Sequence, residues 1–146
     1  LVNTFPFFAQ RAKIRLGVAV FSLLPLVLLK FHRTGSARRV LFSEDVSDED
    51  RRRFRELTRD LTYEGYLSRM RIIRDTDLRP RLQEVRAPAL VVAGTADRLL
   101  DSVRNSRQLV ERLPRARLKL LEGTGHTALL SGRVRVRDWL AEFEEF

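Results

Sequence analysis

The residues Ala89-Leu90-Val91-Val92-Ala93-Gly94 set the tightest limit on what this chain can fold into. They form one unbroken apolar run, fenced by Pro88 and ended by Gly94 itself. A run this short between such breakers predicts a strand, and the lack of polar alternation makes it apolar on both faces. Strands of that kind sit inside parallel sheets. Left alone, this one would be an exposed edge prone to aggregation, so it needs neighbours.

The residues after the run supply part of that setting. Thr95-Ala96-Asp97 reads as a loop, and Asp101 or Ser102 can cap a helix carrying Val103, Leu109, Val110 and Leu113, stopped by Pro114. Arg117-Leu118-Lys119-Leu120-Leu121-Glu122 is the next strand, and Gly123-Thr124-Gly125-His126 is a loop. A last helix carries Val136, Trp139, Leu140 and Phe143. The order strand–helix–strand–helix implies a right-handed crossover and a parallel sheet.

The first half of the chain has a different period. Leu1 to Pro6 reads as the tail of a buried strand followed by a turn. From about Phe7 to Leu29 the pattern is helical and very apolar, until Thr34-Gly35-Ser36 breaks it. Ser47 is a good N-cap, with Asp48, Glu49 and Asp50 in the first turn, where the helix dipole favours anions. Phe54, Leu57 and Leu61 follow at helical spacing, then Tyr63, Tyr66, Leu67, Met70 and Ile73, and both stripes read as core. The expected organisation is therefore 1–6 as the end of a core strand, 7–78 as a helical region, and 79–146 as an α/β unit.

Gly17 to Leu29 is an apolar stretch of 13 residues flanked by Lys13, Arg15 and Lys30. A spanning helix needs ~20 residues, and Pro25 would kink this one. No small-x-small cleavage site comes after it, only Lys30-Phe31-His32-Arg33. The preferred reading is a buried helix, with a membrane-facing one second. The expected location is the cytoplasm, with membrane association through this helix as the alternative.

Composition narrows the function. The 146 residues contain no cysteine, which excludes a disulfide framework, a thiolate metal site and a cysteine nucleophile. Two histidines are too few for a His-rich metal cluster, so neither metal nor cofactor is expected. The net charge of +9 could attract nucleic acid. The arginines, however, interleave with acids, as in Asp48-Glu49-Asp50-Arg51-Arg52-Arg53-Phe54-Arg55-Glu56, which is the pattern of a solvated helix face. No nucleic-acid-binding motif accompanies them, and no nucleic-acid partner is expected.

Chemistry is expected at two strand ends. Asp97 stands after the first strand and His126 after the second, and one strand–helix–strand unit brings both loops to the same sheet edge. A carboxylate beside an imidazole fixes its tautomer and leaves the other ring nitrogen free as a general base. Singly, an Asp after a strand is often only a helix cap, and a His after Gly-x-Gly only a surface residue. The two together, in this topology, favour a site.

The stretch Leu82-x-x-Val85-x-Ala87-Pro88-Ala89-Leu90-Val91-Val92-Ala93-Gly94-Thr95-Ala96-Asp97 resembles the α/β-hydrolase run that carries the acid of the catalytic triad. Leu118-x-Leu120-Leu121-Glu122-Gly123-Thr124-Gly125-His126 resembles the run that ends in the catalytic histidine, and the acid-then-histidine order also matches. The resemblance is specific over about Arg79 to Phe146 and looser before it. It implies an α/β fold in which a helical cap precedes the C-terminal strand–helix–strand–helix of a parallel-sheet core, with the sheet incomplete. It assigns the acid to Asp97 and the base to His126. Ser102 stands where many members have proline, and Asp101 is a competing carboxylate better suited to capping.

The family's nucleophile elbow, G-x-S-x-G, is missing. Thr34-Gly35-Ser36-Ala37-Arg38 lacks the second glycine, and no other serine comes closer. The elbow precedes the cap in this family, so the resemblance places it N-terminal to Leu1, and the first residue is not Met. The expectation is the C-terminal portion of a longer serine hydrolase, inactive by itself, with the N-terminal half of the same protein as its missing partner. Its acid and base segments look most like those of esterases, lipases and acyltransferases, which implies a small apolar or acyl-containing substrate. An upstream aspartate would imply a dehalogenase or epoxide hydrolase instead. The apolar cap helix would line the pocket, with Phe21, Leu24 and Leu28 as candidate residues. The alternative is a non-catalytic module that binds a partner or a membrane.

Overall fold

The computed structural model describes residues 1–9, 11–23, 40–60 and 62–144. Strands β1 (Ala89–Gly94) and β2 (Ala116–Leu121) pair in parallel, with Val91 opposite Leu118 and Ala93 opposite Leu120. The other edge of β1 is taken by the first residues of the chain. Val2 bridges Val92 in parallel. The Leu1 amino group donates to the Leu90 carbonyl at 2.8 Å, the Val92 N–H to the Leu1 carbonyl at 2.7 Å, and the Asn3 N–H to the Val92 carbonyl at 3.0 Å. Paired on both edges, β1 leaves Val91, Val92 and Ala93 at most 1% exposed. This is the environment that its unbroken apolar run requires.

Helix α4 (Ser102–Val110) joins the two strands and packs against both. Asp101 caps it, accepting the Arg104 N–H at 3.2 Å. Leu109 and Leu113 meet Val91 and Leu82 in a buried cluster, and Ala89, Val110, Ala116 and Leu118 pack around it. Leu82 is delivered by a 3-10 turn, Arg79–Glu84. Helix α5 (Val136–Glu144) buries Trp139, whereas Val136 and Leu140 stay exposed. The apolar stripe expected on this helix is thus only partly core, because Val136 and Leu140 border an open groove.

The earlier residues are helical: α1 (Arg11–Leu23), α2 (Asp48–Leu57) and α3 (Tyr63–Asp75). Helix α1 packs on α3, with Ile14, Val18 and Leu67 buried. The expected Phe7–Leu29 helix corresponds to α1 over part of its length, and Leu24 to Leu29 lie outside the described residues. Ser47 starts α2 by accepting the Asp50 N–H at 3.0 Å. The Thr58 hydroxyl closes it by donating to the Phe54 carbonyl at 2.8 Å. The stripe expected to make α2 a core helix needs correction: no α2 residue is buried, and Leu57 is 79% exposed. Leu57 is the last residue of the helix and its side chain faces solvent, and Leu61 lies outside the described residues. Phe54 meets Phe42 edge-on at 5.3 Å.

The helical segment leaves and rejoins the sheet through one neck. Phe7 and Asp77 form an antiparallel bridge, and the Leu78 N–H donates to the Pro6 carbonyl at 2.8 Å. The Arg79 guanidinium grips both oxygens of Asp77 at 2.9 and 2.6 Å and lies 3.7 Å from the centre of the Phe7 ring. The whole is an α/β architecture, a helical segment followed by strand–helix–strand–helix on a parallel pair. Among the described residues, no helix is long and apolar enough to cross a membrane.

Candidate active site

Both strands end at the same edge of the sheet, and the chain then turns twice in contact with itself. Gly94 is the point of closest approach. A Cβ built there would lie 2.2 Å from the Thr124 carbonyl oxygen and 2.9 Å from that of Gly125. Only glycine lets the end of β1 pass so close to the loop after β2. That second loop turns at Gly123, whose φ of +68° lies in the left-handed region that glycine adopts readily. The Ala96 N–H donates to the Thr124 carbonyl at 3.1 Å, and the Gly123 N–H donates to the Thr95 hydroxyl at 3.0 Å. The two loops are therefore one hydrogen-bonded unit.

This unit brings Asp97 and His126 together. His126 Nδ1 lies 2.9 Å from Asp97 Oδ2. The Ser102 hydroxyl donates to the same oxygen. The other oxygen, Oδ1, accepts the Leu99 N–H at 2.8 Å and the Leu100 N–H at 3.1 Å. The Asp97 side chain is 1% exposed and that of His126 is 24% exposed. Burial alone would push the Asp97 carboxyl up. The hydrogen bonds from His126, Ser102 and the Leu100 and Leu99 amides outweigh it and hold the carboxyl below its ordinary value. A carboxylate is the acceptor that keeps the imidazole proton on Nδ1, which leaves Nε2 with a lone pair able to take a proton.

The histidine loop is tied to its surroundings on two further sides. Thr127 donates from its N–H at 3.0 Å and its hydroxyl at 2.9 Å to the Leu41 carbonyl, which couples the loop to the helical segment. The Ser131 hydroxyl donates to Asp45. From the strand side, the buried Asn3 amide donates to the Gly125 carbonyl at 2.9 Å and to the His126 carbonyl at 2.7 Å.

The sequence places Asp97 and His126 on adjacent loops, and the structure puts them in contact. Sequence reasoning does not find Asn3 or the Ser102 contact. Asn3 carries one legible signal: an asparagine directly after two apolar strand residues, where a left-handed turn residue often ends a strand. Of the candidate pocket residues, Phe21 stands in α1, while Leu24 and Leu28 lie outside the described residues. Among the described residues, no group of three or more carboxylates and imidazoles could hold a metal ion.

Comparison with known proteins identifies the fold. The family model described as the α/β hydrolase fold matches residues 1–132, so the chain belongs to the α/β-hydrolase fold family. A hydrolase from Pseudomonas aeruginosa PA01 superposes with a TM-score of 0.73 at 22% identity, over 99% of this chain and 51% of that one. The enol-lactonase from Burkholderia xenovorans LB400 gives 0.73 at 22% identity, over 99% and 54%. An esterase from Exiguobacterium antarcticum gives 0.73 at 18% identity, over 97% and 54%. The chain thus spans about half the length of these structures. Among curated proteins, the polyketide synthase ThaQ of Burkholderia thailandensis is 44% identical over 55 residues, which is 38% of this chain and 3% of that one.

Proposed function

We propose that the chain is the C-terminal portion of a serine hydrolase that cleaves or transfers acyl groups at ester bonds. The observation that carries this reading is the 2.9 Å contact of His126 Nδ1 with a buried Asp97 carboxylate at the ends of paired parallel strands. In this reading His126 Nε2 takes the proton of a serine hydroxyl as the oxygen attacks the substrate carbonyl. Asp97 holds the ring in place and stabilises the imidazolium. The imidazolium then protonates the leaving alcohol, and water or a second alcohol repeats the cycle on the acyl-enzyme.

The serine comes from a segment N-terminal to Leu1. Three features support that placement. The solved relatives are about twice this length, and no serine of this chain stands in G-x-S-x-G. The described residues also carry an apolar groove of about 590 Å³ whose walls include Leu1, Val2, Phe5, Val92 and Trp139, an apolar seat for the rest of such a fold. The names of two structural neighbours, an esterase and an enol-lactonase, favour ester bonds. The substrate class in this reading is a small apolar or acyl-containing ester, its acyl part resting on the helical segment around α1, in which Phe21 stands.

Two measurements test the reading. The coding DNA upstream of the Leu1 codon is expected to encode G-x-S-x-G in frame, and an in-frame stop at that point contradicts the proposal. The chain alone is expected to show no turnover of a p-nitrophenyl ester. Turnover by the chain alone that His126→Ala abolishes would place the nucleophile inside it and overturn the assignment.

A further inference from the structure

We infer that Asn3 is a positioning residue, a clamp whose side-chain amide locks the loop carrying His126 to the end of the strand that leads to Asp97. This deepens the triad reading and rests on it for its catalytic meaning, while the clamp is measurable without turnover. The Asn3 side chain makes three hydrogen bonds, and all three go to backbone. Its Nδ2 donates to the carbonyls of Gly125 at 2.9 Å and His126 at 2.7 Å. Its Oδ1 accepts the Gly94 N–H at 2.8 Å. Its own N–H is bonded to the Val92 carbonyl at 3.0 Å. The residue is 6% exposed, so water does not stand in for these bonds.

The choice of asparagine reflects two constraints that few residues satisfy together. The backbone of Asn3 has φ +42°, in the left-handed region where most side chains are strained and asparagine, aspartate and glycine are tolerated. The three partners, two carbonyls and one N–H, require a side chain with both donors and an acceptor. Glycine meets the first constraint and offers no side chain. Glutamine has the right groups but is not favoured in this backbone conformation. Aspartate meets the first constraint and keeps the acceptor for Gly94, yet it turns a charged oxygen toward two carbonyl oxygens. Asparagine alone meets both.

The clamp acts on geometry. Gly94 lies three residues before Asp97, and the carbonyls that Asn3 holds belong to His126 and the residue before it. Asn3 therefore fixes the main chain on which the imidazole is mounted relative to the main chain on which the carboxylate is mounted. Without it the Thr95, Ala96 and Thr127 contacts keep the loops near one another. The ring is then free to shift from the 2.9 Å contact.

The test reads the ring itself. In 15N-labelled chain at alkaline pH, the two His126 ring nitrogens are expected to give separate signals, Nδ1 protonated and Nε2 not. The signals of His32, the other histidine, are removed from consideration by the spectrum of His126→Gln. In Asn3→Gly and Asn3→Asp, which preserve the backbone conformation, the two His126 signals are expected to move toward the averaged position of a free imidazole. A folded Asn3→Gly chain whose His126 signals stay at the wild-type positions overturns the clamp. A second measurement needs no variant: in the unaltered chain the Asn3 side-chain NH2 protons are expected to exchange with solvent at least ~100-fold slower than those of asparagine in a short peptide, as buried hydrogen-bonded groups do. Exchange at the peptide rate also overturns it. Loss of the His126 signature in Asn3→Gly supports the clamp even if no ester is ever hydrolysed. Hydrolysis that needs Asp97 and His126, with an unmoved His126 signature in Asn3→Gly, keeps the triad and removes the clamp.

Discussion

Asp97 is a small acceptor with four donors aimed at it, and its behaviour reflects that count. Its carboxyl is held below the ordinary value of 3.8, so the unfolded chain binds that proton more readily than the folded one. The contribution to stability is therefore fully present above the ordinary value and is lost as pH falls through the lowered one. Urea midpoints measured at about pH 5.5 and about pH 3 check this: the wild type should lose more between the two than Asp97→Asn, which has no proton to bind. The residue scale also shows what the sequence can and cannot reveal. Asp97 and His126 are legible because a strand, a helix and a second strand stand around and between them, and that unit returns the chain to the same edge. The Ser102 hydroxyl bond is not legible, because it depends on how the first turn of α4 leans over the carboxylate. Nor is the Asn3 clamp, whose partners lie at the far end of the chain.

At the scale of elements, β1 is the easiest to read, since an apolar run fenced by Pro88 and Gly94 admits few alternatives. The 3-10 turns at Arg79–Glu84 and Ala128–Leu130 escape sequence reading, being too short to show a period. The core stripe on α2 fails for a related reason. Spacing says which side chains share a face but not whether anything covers that face, and Leu57 stays exposed. Stability measurements separate the two kinds of leucine. Leu109→Ala, in the cluster under β1, should cost about 2–5 kcal/mol. Leu57→Ala should change stability by no more than about 0.5 kcal/mol. Gly94→Ala is a sharper probe, because the added carbon meets the Thr124 and Gly125 carbonyl oxygens, which belong to the backbone and cannot rotate aside. It should cost about 1–3 kcal/mol in a chemical melt, with the His126 loop displaced to accommodate it.

The chain as a whole spans about half the length of its solved relatives. Its family is shown by a match over residues 1–132, and it covers little more than half of the solved relatives. The sheet pairs β1 on both edges, and an apolar groove remains open beside Leu1 and Val2. The helical segment is tied to the strands at the neck through Asp77 and Arg79 and to the His126 loop through Leu41 and Thr127. In the proposed reading Asp97 and His126 serve as acid and base for a nucleophile N-terminal to Leu1. The most direct test of that reading is the steady-state hydrolysis of a p-nitrophenyl ester by the longer gene product it expects, measured for the wild type and for Asp97→Asn. Measurable turnover is expected in the wild type, with a fall in kcat of about 10⁴-fold in the variant, because asparagine favours the wrong imidazole tautomer. Turnover that Asp97→Asn leaves unchanged would contradict it.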